Sequence, residues 1–359
     1  MFEVEGTKSL DSNAITFVKK GINFVGRTFE NNGIQGKIDK RDFEPNNPYT
    51  ITATVIGNYK YVKYQKEPYY CSQNINKLTP KTIFERWNEK IAYFIIASIQ
   101  RFVSQYDGQQ GGYKLEDIKN HIIELPLKNN KIDFDFMETF VAELEAQRVA
   151  ELKNYLEVSG LDDYELSNRE LEVLESYDSV EWGEYRIGDL FEIKPTKSYK
   201  VTNTDLFDEN GCTPVVTNSS ANNGITGYTN KSFTEEGNII TYSDTTTADS
   251  IFYQPNKFVG YSHIQGLYPI NYQDNWNKNS LLFFVSAFRN ISKGKFSYGN
   301  KFNRKIASEM NATLPTKNGK IDFEFMETYI SAITKLAIKD VVKYADKRIA
   351  ATKKIVNKQ

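Results

Sequence analysis

Residues 131–139 read KIDFDFMET, and residues 320–328 read KIDFEFMET. One position differs, Asp135 against Glu324, and the charge is kept. The two stretches lie 189 positions apart in a chain of 359 residues. That period is far longer than the roughly 20–45 residues of a solenoid unit, so a whole domain is repeated. The same shift aligns Phe2-Glu3-Val4 with Phe191-Glu192-Ile193, Thr7-Lys8-Ser9 with Thr196-Lys197-Ser198, and Leu125-Pro126 with Leu314-Pro315. Asn31 to Gly36 meets Asn222 to Gly227 after a gain of two residues, and Ile75, Leu78 and Pro80 meet Ile264, Leu267 and Pro269 at the original shift.

Each copy begins as short strands. Thr213–Thr217, Asn238–Tyr242 and Ser250–Tyr253 are β-branched and aromatic runs between Asn, Gly, Ser and Pro clusters. Asn32-Gly33 and Asn223-Gly224 are turn signals, because glycine accepts positive φ without steric cost. A helix is expected late in each copy, over Ile83–Ser104 and over Ser280–Phe288. Each copy then ends in a long helix. Asp133 and Asp322 stand as N-caps behind the Leu-Pro exits. Apolar residues recur at helical spacing: Met137, Phe140, Val141, Leu144, Val149, Leu152 and Leu156, then Met326, Tyr329, Ile330, Ile333, Leu336, Ala337, Val341 and Tyr344. Phe134, Phe136, Phe323 and Phe325 in the repeated nine residues read as packing residues.

Net charge is −1, but it is unevenly placed. Residues 132–186 carry 16 acidic and 4 basic side chains, whereas residues 329–359 carry 8 basic and 2 acidic ones. An acidic and a basic helix favour antiparallel pairing, and a helix of about 35 residues spans roughly 50 Å. The expected fold is α+β: two β-rich domains (1–131 and 179–319) held apart by spacer helices (132–178 with its connector, and 320–359), a pseudo-two-fold internal duplication with a coiled-coil-like spacer. The second copy has a lead-in, Ser179–Leu190, before its Phe-Glu-Ile, and nothing matches it before Met1-Phe2. The first domain is therefore expected either to lack an opening strand or to draw one from elsewhere in the chain. Two cysteines, Cys71 and Cys212, make no disulfide framework or metal spacing, and no segment is apolar enough to span a bilayer. A soluble, cytoplasmic protein is expected.

Two similar frames with different loops, set at a fixed separation, suit two DNA half-sites spaced along a duplex, where one helical turn is about 34–36 Å. The motif pairs FEVEGTKS/FEIKPTKS, ENNGIQG/ANNGITG and LPLKNNKIDFDFMET/LPTKNGKIDFEFMET, with FSYGNKFNRKI at residues 296–306, carry a likeness over essentially the whole chain. The chain resembles the DNA-specificity subunit of type I restriction-modification systems, or of the related split type II systems. The resemblance implies a non-catalytic reader of double-stranded DNA. It implies partners as well: two copies of an adenine-N6 methyltransferase and, in type I systems, a restriction motor subunit. Each methyltransferase would act on a flipped adenine.

Lys301, Asn303 and Arg304 form a basic cluster suited to phosphates or guanine edges, and Lys114 is its loose counterpart. Lys8 and Lys197 suit phosphates, or equally an exposed capping turn. Asn32 and Asn223, beside Asn31 and Asn222, suit adenine edges. They recur in both copies, however, which favours a turn or a backbone contact over sequence readout. Base readers belong among residues that differ: Arg27, Asn58, Tyr59 and Lys60 in the first copy, and Asn218, Ser219, Thr245, Thr246 and Thr247 in the second. His121 and His263 lack metal-ligand spacing, and each reads as a surface or core residue. Asn46-Asn47-Pro48-Tyr49 lacks the first proline of the methyltransferase N-P-P-Y motif and reads as a turn. No phosphate-binding G-x-x-x-x-G-K-[ST] loop occurs. No catalytic residue, cofactor or metal is expected. Two other readings remain: a restriction or modification polypeptide acting alone, and a tandem β-rich ligand-binding module.

Overall fold

The computed structural model describes residues 1–108, 111–297 and 299–356. The chain divides into two compact units: Met1–Leu152 with Lys347–Gln359, and Lys153–Asp346. These limits fall inside two long helices, whereas the sequence placed domain borders at 131/132, 178/179 and 319/320.

The first unit starts with eight strands: β1 (Phe2–Gly6), β2 (Ser9–Leu10), β3 (Ile22–Val25), β4 (Ile34–Ile38), β5 (Thr50–Thr54), β6 (Val62–Gln65), β7 (Tyr69–Ser72) and β8 (Ile75–Pro80). Helices α1 (Glu89–Ser104) and α2 (Leu115–Asn120), the hairpin β9 (Leu127–Lys128) and β10 (Lys131–Ile132), and the start of α3 (Phe134–Val158) follow. One sheet has the order β1-β8-β5-β6 and is antiparallel; the other is β2-β7-β3-β4, with parallel β2/β7 and β3/β7 pairs. Helix α1 begins six residues after Ile83, because Asn88 caps it, its side chain accepting from the Lys90 and Ile91 amides. Upstream, Phe84 and Trp87 are spent on packing against Phe2. The helix lays Ile91, Ile95, Ile99 and Phe102 on Ile51, Ala53, Val62 and Tyr64 of the first sheet, which makes the core of this unit.

The second unit holds α4 (Asn168–Glu175), β11 (Glu181–Arg186), α5 (Ile187–Leu190), β12 (Phe191–Pro195), α6 (Asn203–Leu206), β13 (Thr213–Val216), β14 (Ile225–Thr229), β15 (Ile239–Ser243), β16 (Phe252–Gln254) and β17 (Ile264–Pro269). Then come α7 (Lys278–Ser292), α8 (Arg304–Glu309), β18 (Asn311–Lys317), β19 (Lys320–Ile321) and most of α9 (Phe323–Val356). Its main sheet, β12-β17-β15-β16, has the connectivity of β1-β8-β5-β6, and the registers agree: Thr50 faces Gln65 as Ile239 faces Gln254. Helix α7 outruns its expected span at both ends; at its start Asn277 caps it, so it begins at Lys278, two residues before Ser280. Residues 248–250 form a 3-10 turn, so β16 starts at Phe252 and not at Ser250.

The repeated nine residues now have a physical account. The Asp133 amide donates to Pro126 O at 2.9 Å, closing the β9–β10 hairpin, and its carboxylate accepts from the Phe136 amide at 2.9 Å, opening α3. Asp322 repeats both bonds with Pro315 O at 2.8 Å and the Phe325 amide at 2.9 Å. Phe134, Phe323 and Phe325 are buried as expected. Phe136 is not: it is 49% exposed. The helical stripes are corrected too. Phe140, Leu144, Ile333, Leu336, Val341 and Tyr344 are exposed, and α9 buries the small Ala332 and Ala345 beside Met326 and Val342. Small residues let a neighbouring backbone approach closely, and that is invisible to a pattern of large apolar residues.

Charge ties the helices within each unit. In the first, Arg348 of α9 pairs with Glu145 of α3 at 2.6 Å. In the second, Lys153 of α3 pairs with Asp346 of α9 at 3.1 Å. Lys335 of α9 meets Asp163 at 2.7 Å and Glu170 of α4 at 3.2 Å. Glu170 is 5% exposed; burial works to raise its pKa, but hydrogen bonds from Ser331, Ser167 and Lys335 hold it down at about 2. Cys71 on β7 is buried, which pushes its thiol up to about 12, while Cys212 is exposed. Among the described residues no helix is long and apolar enough to cross a membrane.

Candidate nucleic-acid interface

The residues common to both copies are used internally. Asn31, Asn32, Asn222 and Asn223 sit in the left-handed region, with φ of 44°, 55°, 48° and 54°, a conformation Asn tolerates better than other side-chain-bearing residues. Asn31 and Asn222 donate to the Ile34 and Ile225 carbonyls, each at 3.0 Å. Asn32 donates to Tyr64 O at 2.8 Å, and Gln65 donates back to Asn32 O at 3.3 Å and to Thr52 Oγ1 at 3.0 Å. Asn223, Tyr253, Gln254 and Thr241 repeat this latch at 2.9, 3.1 and 2.9 Å. The carboxamide donors of Asn32 and Asn223 thus fasten a turn to the sheet; they do not face outward. In Thr-Lys-Ser, the threonine is the structural member. Thr7 and Thr196 hydroxyls bond the Ile75 and Ile264 carbonyls, while Lys8 and Lys197 stay exposed. Lys8 Nζ lies 4.0 Å from the Phe43 ring centroid.

In the first unit, Arg27, Asn58 and Tyr59 are exposed, and Tyr59 is 67% so. Lys60 is not available: it is buried, and its ammonium donates to the Gly57 and Tyr106 carbonyls. A lysine in a loop reads as solvated, so nothing in the sequence marks this one as a tie between the β5–β6 loop and the end of α1. The sequence reading missed a neighbouring cluster. Lys63 on β6 holds its ammonium 4.5 Å from the Phe29 ring and 5.8 Å from the Tyr61 ring, and burial lowers its pKa. Phe29 is 65% exposed and lies 5.5 Å from Tyr61. An exposed phenylalanine against a half-buried tyrosine, with a cation on both and Arg27 nearby in the chain, offers stacking and charge together. Lys114 occupies the N-cap position of α2, its amide bonded to Asp117, with its side chain exposed.

In the second unit, Asp244 organises the corresponding surface. Its carboxylate meets His263 Nδ1 at 3.0 Å and Gln265 Nε2 at 2.8 Å, its amide donates to His263 O at 3.0 Å, and its carbonyl accepts from the Phe302 amide at 3.1 Å. The last bond joins the Ser243–Thr247 loop to the Lys301–Arg304 loop. Asn218 and Thr245 share the Ser243 hydroxyl, each at 3.0 Å. Thr246 Oγ1 is buried and has no hydrogen-bond partner among the described residues. Ser219 and Thr247 stabilise their own turns, through the Ala221 carbonyl and Asp249. Asn303 is the N-cap of α8, accepting from the Ile306 amide at 3.0 Å; Lys301 and Arg304, both exposed, are the charged members of the cluster. Phe302 between them is fully buried, 3.9 Å from the Phe296 ring and 4.5 Å from Tyr242. Tyr298, within the FSYGNKFNRKI motif, lies outside the described residues. At the same places the first unit has Val55, Asn74 and Asn76 for Asp244, His263 and Gln265, although Val55 N to Asn74 O at 2.9 Å keeps the backbone bond. The frame is held and the side chains offered on it change.

His121 stacks on Phe102 at 4.3 Å, and burial lowers its pKa. Asn46 bonds Tyr69 O at 3.2 Å, and Tyr49 has φ of 60°, as a turn requires. No group of acidic, His and Cys side chains among the described residues could hold a metal ion.

The model of the type I restriction modification DNA specificity domain matches residues 1–154 and again residues 179–344. The chain belongs to this family. It is 26% identical over 337 residues to the type II restriction enzyme specificity subunit S.BcgI of Heyndrickxia coagulans, covering 92% of this chain and 91% of that one. Among solved structures, the type I restriction-modification S subunit from M. genitalium matches with a TM-score of 0.57 at 15% identity, covering 99% of this chain and 92% of that one. That likeness concerns the fold.

Proposed function

We propose that this specificity subunit reads a bipartite, asymmetric DNA target and carries no catalytic chemistry of its own. The observation that supports it most is the pairing of one frame with two different sets of surface side chains: exposed Arg27 and Phe29 with half-buried Tyr61 and Lys63 on the first unit, and exposed His263, Lys301 and Arg304 with half-buried Asn218 and Asp244 on the second. One frame gives one mode of approach to the duplex, and different side chains give different half-sites. The near-neutral chain implies weak affinity for DNA alone, with partner subunits closing around the duplex. Those partners are two adenine-N6 methyltransferases, each set over its adenine by one half-site, with or without a restriction subunit. The exposed apolar positions Leu144, Ile333, Leu336 and Tyr344 on α3 and α9 support a docking role for the helices. The ion pairs between α3 and α9 within each unit support their use as an antiparallel spacer.

Mapping methylated adenines across the source genome, with and without this gene, tests the reading. A single split motif, methylated once in each half, is the expected loss on deletion. Lengthening α3 and α9 by matched insertions should widen the gap and leave both halves unchanged. Altered halves with an unchanged gap would overturn the spacer.

A further inference from the structure

We propose that His263 is a specificity-determining residue: its Nε2 accepts a hydrogen bond from the exocyclic amine of an adenine or a cytosine in one half-site, and Asp244 is the positioning residue that keeps Nε2 an acceptor. This rests on the reading of the second unit as a DNA reader. Strands β15 and β17 pair antiparallel up to Ser243 facing Ile264, so Asp244 and His263 meet one step beyond the end of the ladder. The Asp244 amide donates to the His263 carbonyl at 3.0 Å, and the Phe302 amide donates to the Asp244 carbonyl at 3.1 Å. Phe302 is itself fully buried against Phe296 and Tyr242, so the Asp244 backbone is held from two sides. His263 sits at φ of 67°, where the first unit has Asn74 at 62°. The turn is shared, and only the second unit puts a ring on it.

Both carboxylate oxygens of Asp244 are directed. Gln265 Nε2 donates to Oδ2 at 2.8 Å, and His263 Nδ1 lies 3.0 Å from Oδ1. An ionised carboxylate only accepts, so Nδ1 carries the ring proton. In the neutral ring Nε2 is left with a lone pair. The His263 side chain is 52% exposed, and Nε2 makes no hydrogen bond among the described residues. In the major groove an acceptor is satisfied by adenine N6 or cytosine N4. Guanine O6 and thymine O4 stand at the corresponding places, and their lone pairs repel it. Lys301 and Arg304, on the loop anchored through Phe302, provide charge for the neighbouring phosphates. The first unit has Val55 and Asn76 in place of Asp244 and Gln265, with no carboxylate to fix a tautomer, so this readout belongs to one half-site only.

The test uses the complex purified from its source and duplexes of the mapped target. One adenine at a time is replaced by purine, or one cytosine by 2-pyrimidinone, each lacking only the amine. At one position in one half-site, loss of the amine should weaken binding roughly tenfold. That penalty should vanish in His263→Gly, a substitution the positive φ accommodates. In Asp244→Asn the Gln265 amine still claims the side-chain oxygen, so the new amide faces Nδ1 and the ring proton moves to Nε2. Preference at the same position should then move from adenine to guanine, or from cytosine to thymine. Amine penalties that all survive His263→Gly would overturn the proposal. So would a His263→Gly loss equal for every base, which marks a backbone contact, or an Asp244→Asn preference that does not move. Scrambling each half-site separates the two ideas. If scrambling abolishes binding while every amine penalty survives His263→Gly, the DNA reading stands and the role of His263 falls. If scrambling changes nothing, both fall.

Discussion

In the second unit residues 167–190 pair β11 along β18 and set Tyr177 against Phe325 and Tyr329; in the first, residues 121–126 lie in no strand and Phe136 and Phe140 are exposed. The main sheets share their connectivity, although the other sheet has four strands in the first unit and two in the second. Residues 167–190 thus accompany a buried Phe325 and a paired strand, where the first unit has an exposed Phe136 and an irregular stretch. The surfaces proposed to read DNA differ in another way, around a shared backbone bond: Asp244, His263 and Gln265 stand where the first unit has Val55, Asn74 and Asn76. One comparison concerns packing, the other recognition.

The largest effect is expected at Phe302. Phe302→Ala removes a fully buried ring that stacks on Phe296 and abuts Tyr242 and Phe288, at a cost of about 3–5 kcal/mol. Urea unfolding followed by amide exchange should show the loss in residues 153–346 while the core of the first unit keeps its protection. Equal loss in both would dissolve the distinction between the units.

A smaller effect is expected at Glu170, which has no counterpart in the first unit. Its folded pKa of about 2 lies below the ordinary 4.5, so its contribution is complete above about pH 4.5 and is lost as pH falls through 2. Glu170→Gln should cost the second unit about 2 kcal/mol at pH 7 and remove that part of its acid sensitivity. Urea midpoints at pH 7 and pH 3 measure both, and an unchanged pH slope would show that Lys335 and Ser331 do not hold the carboxylate.

The smallest effects sharpen the comparison of reading surfaces. Arg27→Ala and Arg304→Ala should each cost about 1–2 kcal/mol in recognition of one half-site only. Binding of the assembled complex to targets with one half scrambled separates them. Both variants weakening the same half would break the assignment of one half to each unit.

The duplication, the Asp133 and Asp322 caps, the Asn-Gly turns and the main strands were legible in the sequence, because each rests on local chemistry that recurs at a fixed shift. That shared residues build the frame was legible too, as Asn32 and Asn223 show. What failed depended on distant partners. Lys60 reads as a loop cation until the Tyr106 carbonyl is seen beside it. The Phe29–Lys63 contact and the Asp244–His263 pair join residues 34 and 19 positions apart across strands, where no periodicity links them. The exposed Phe136 and Phe140 follow a faultless helical spacing. Spacing locates a stripe, but whether anything lies over it depends on the rest of the fold.

The two thiols give this molecule a built-in reporter. Cys212 is open to an alkylating reagent at once, whereas Cys71 is sealed inside β7 and held in its unreactive protonated form. A maleimide pulse marks one unit immediately, and the slow arrival of a second label times the breathing of the other. The first copy of the repeat therefore keeps its own clock, and the second its own zero mark, without any engineered residue.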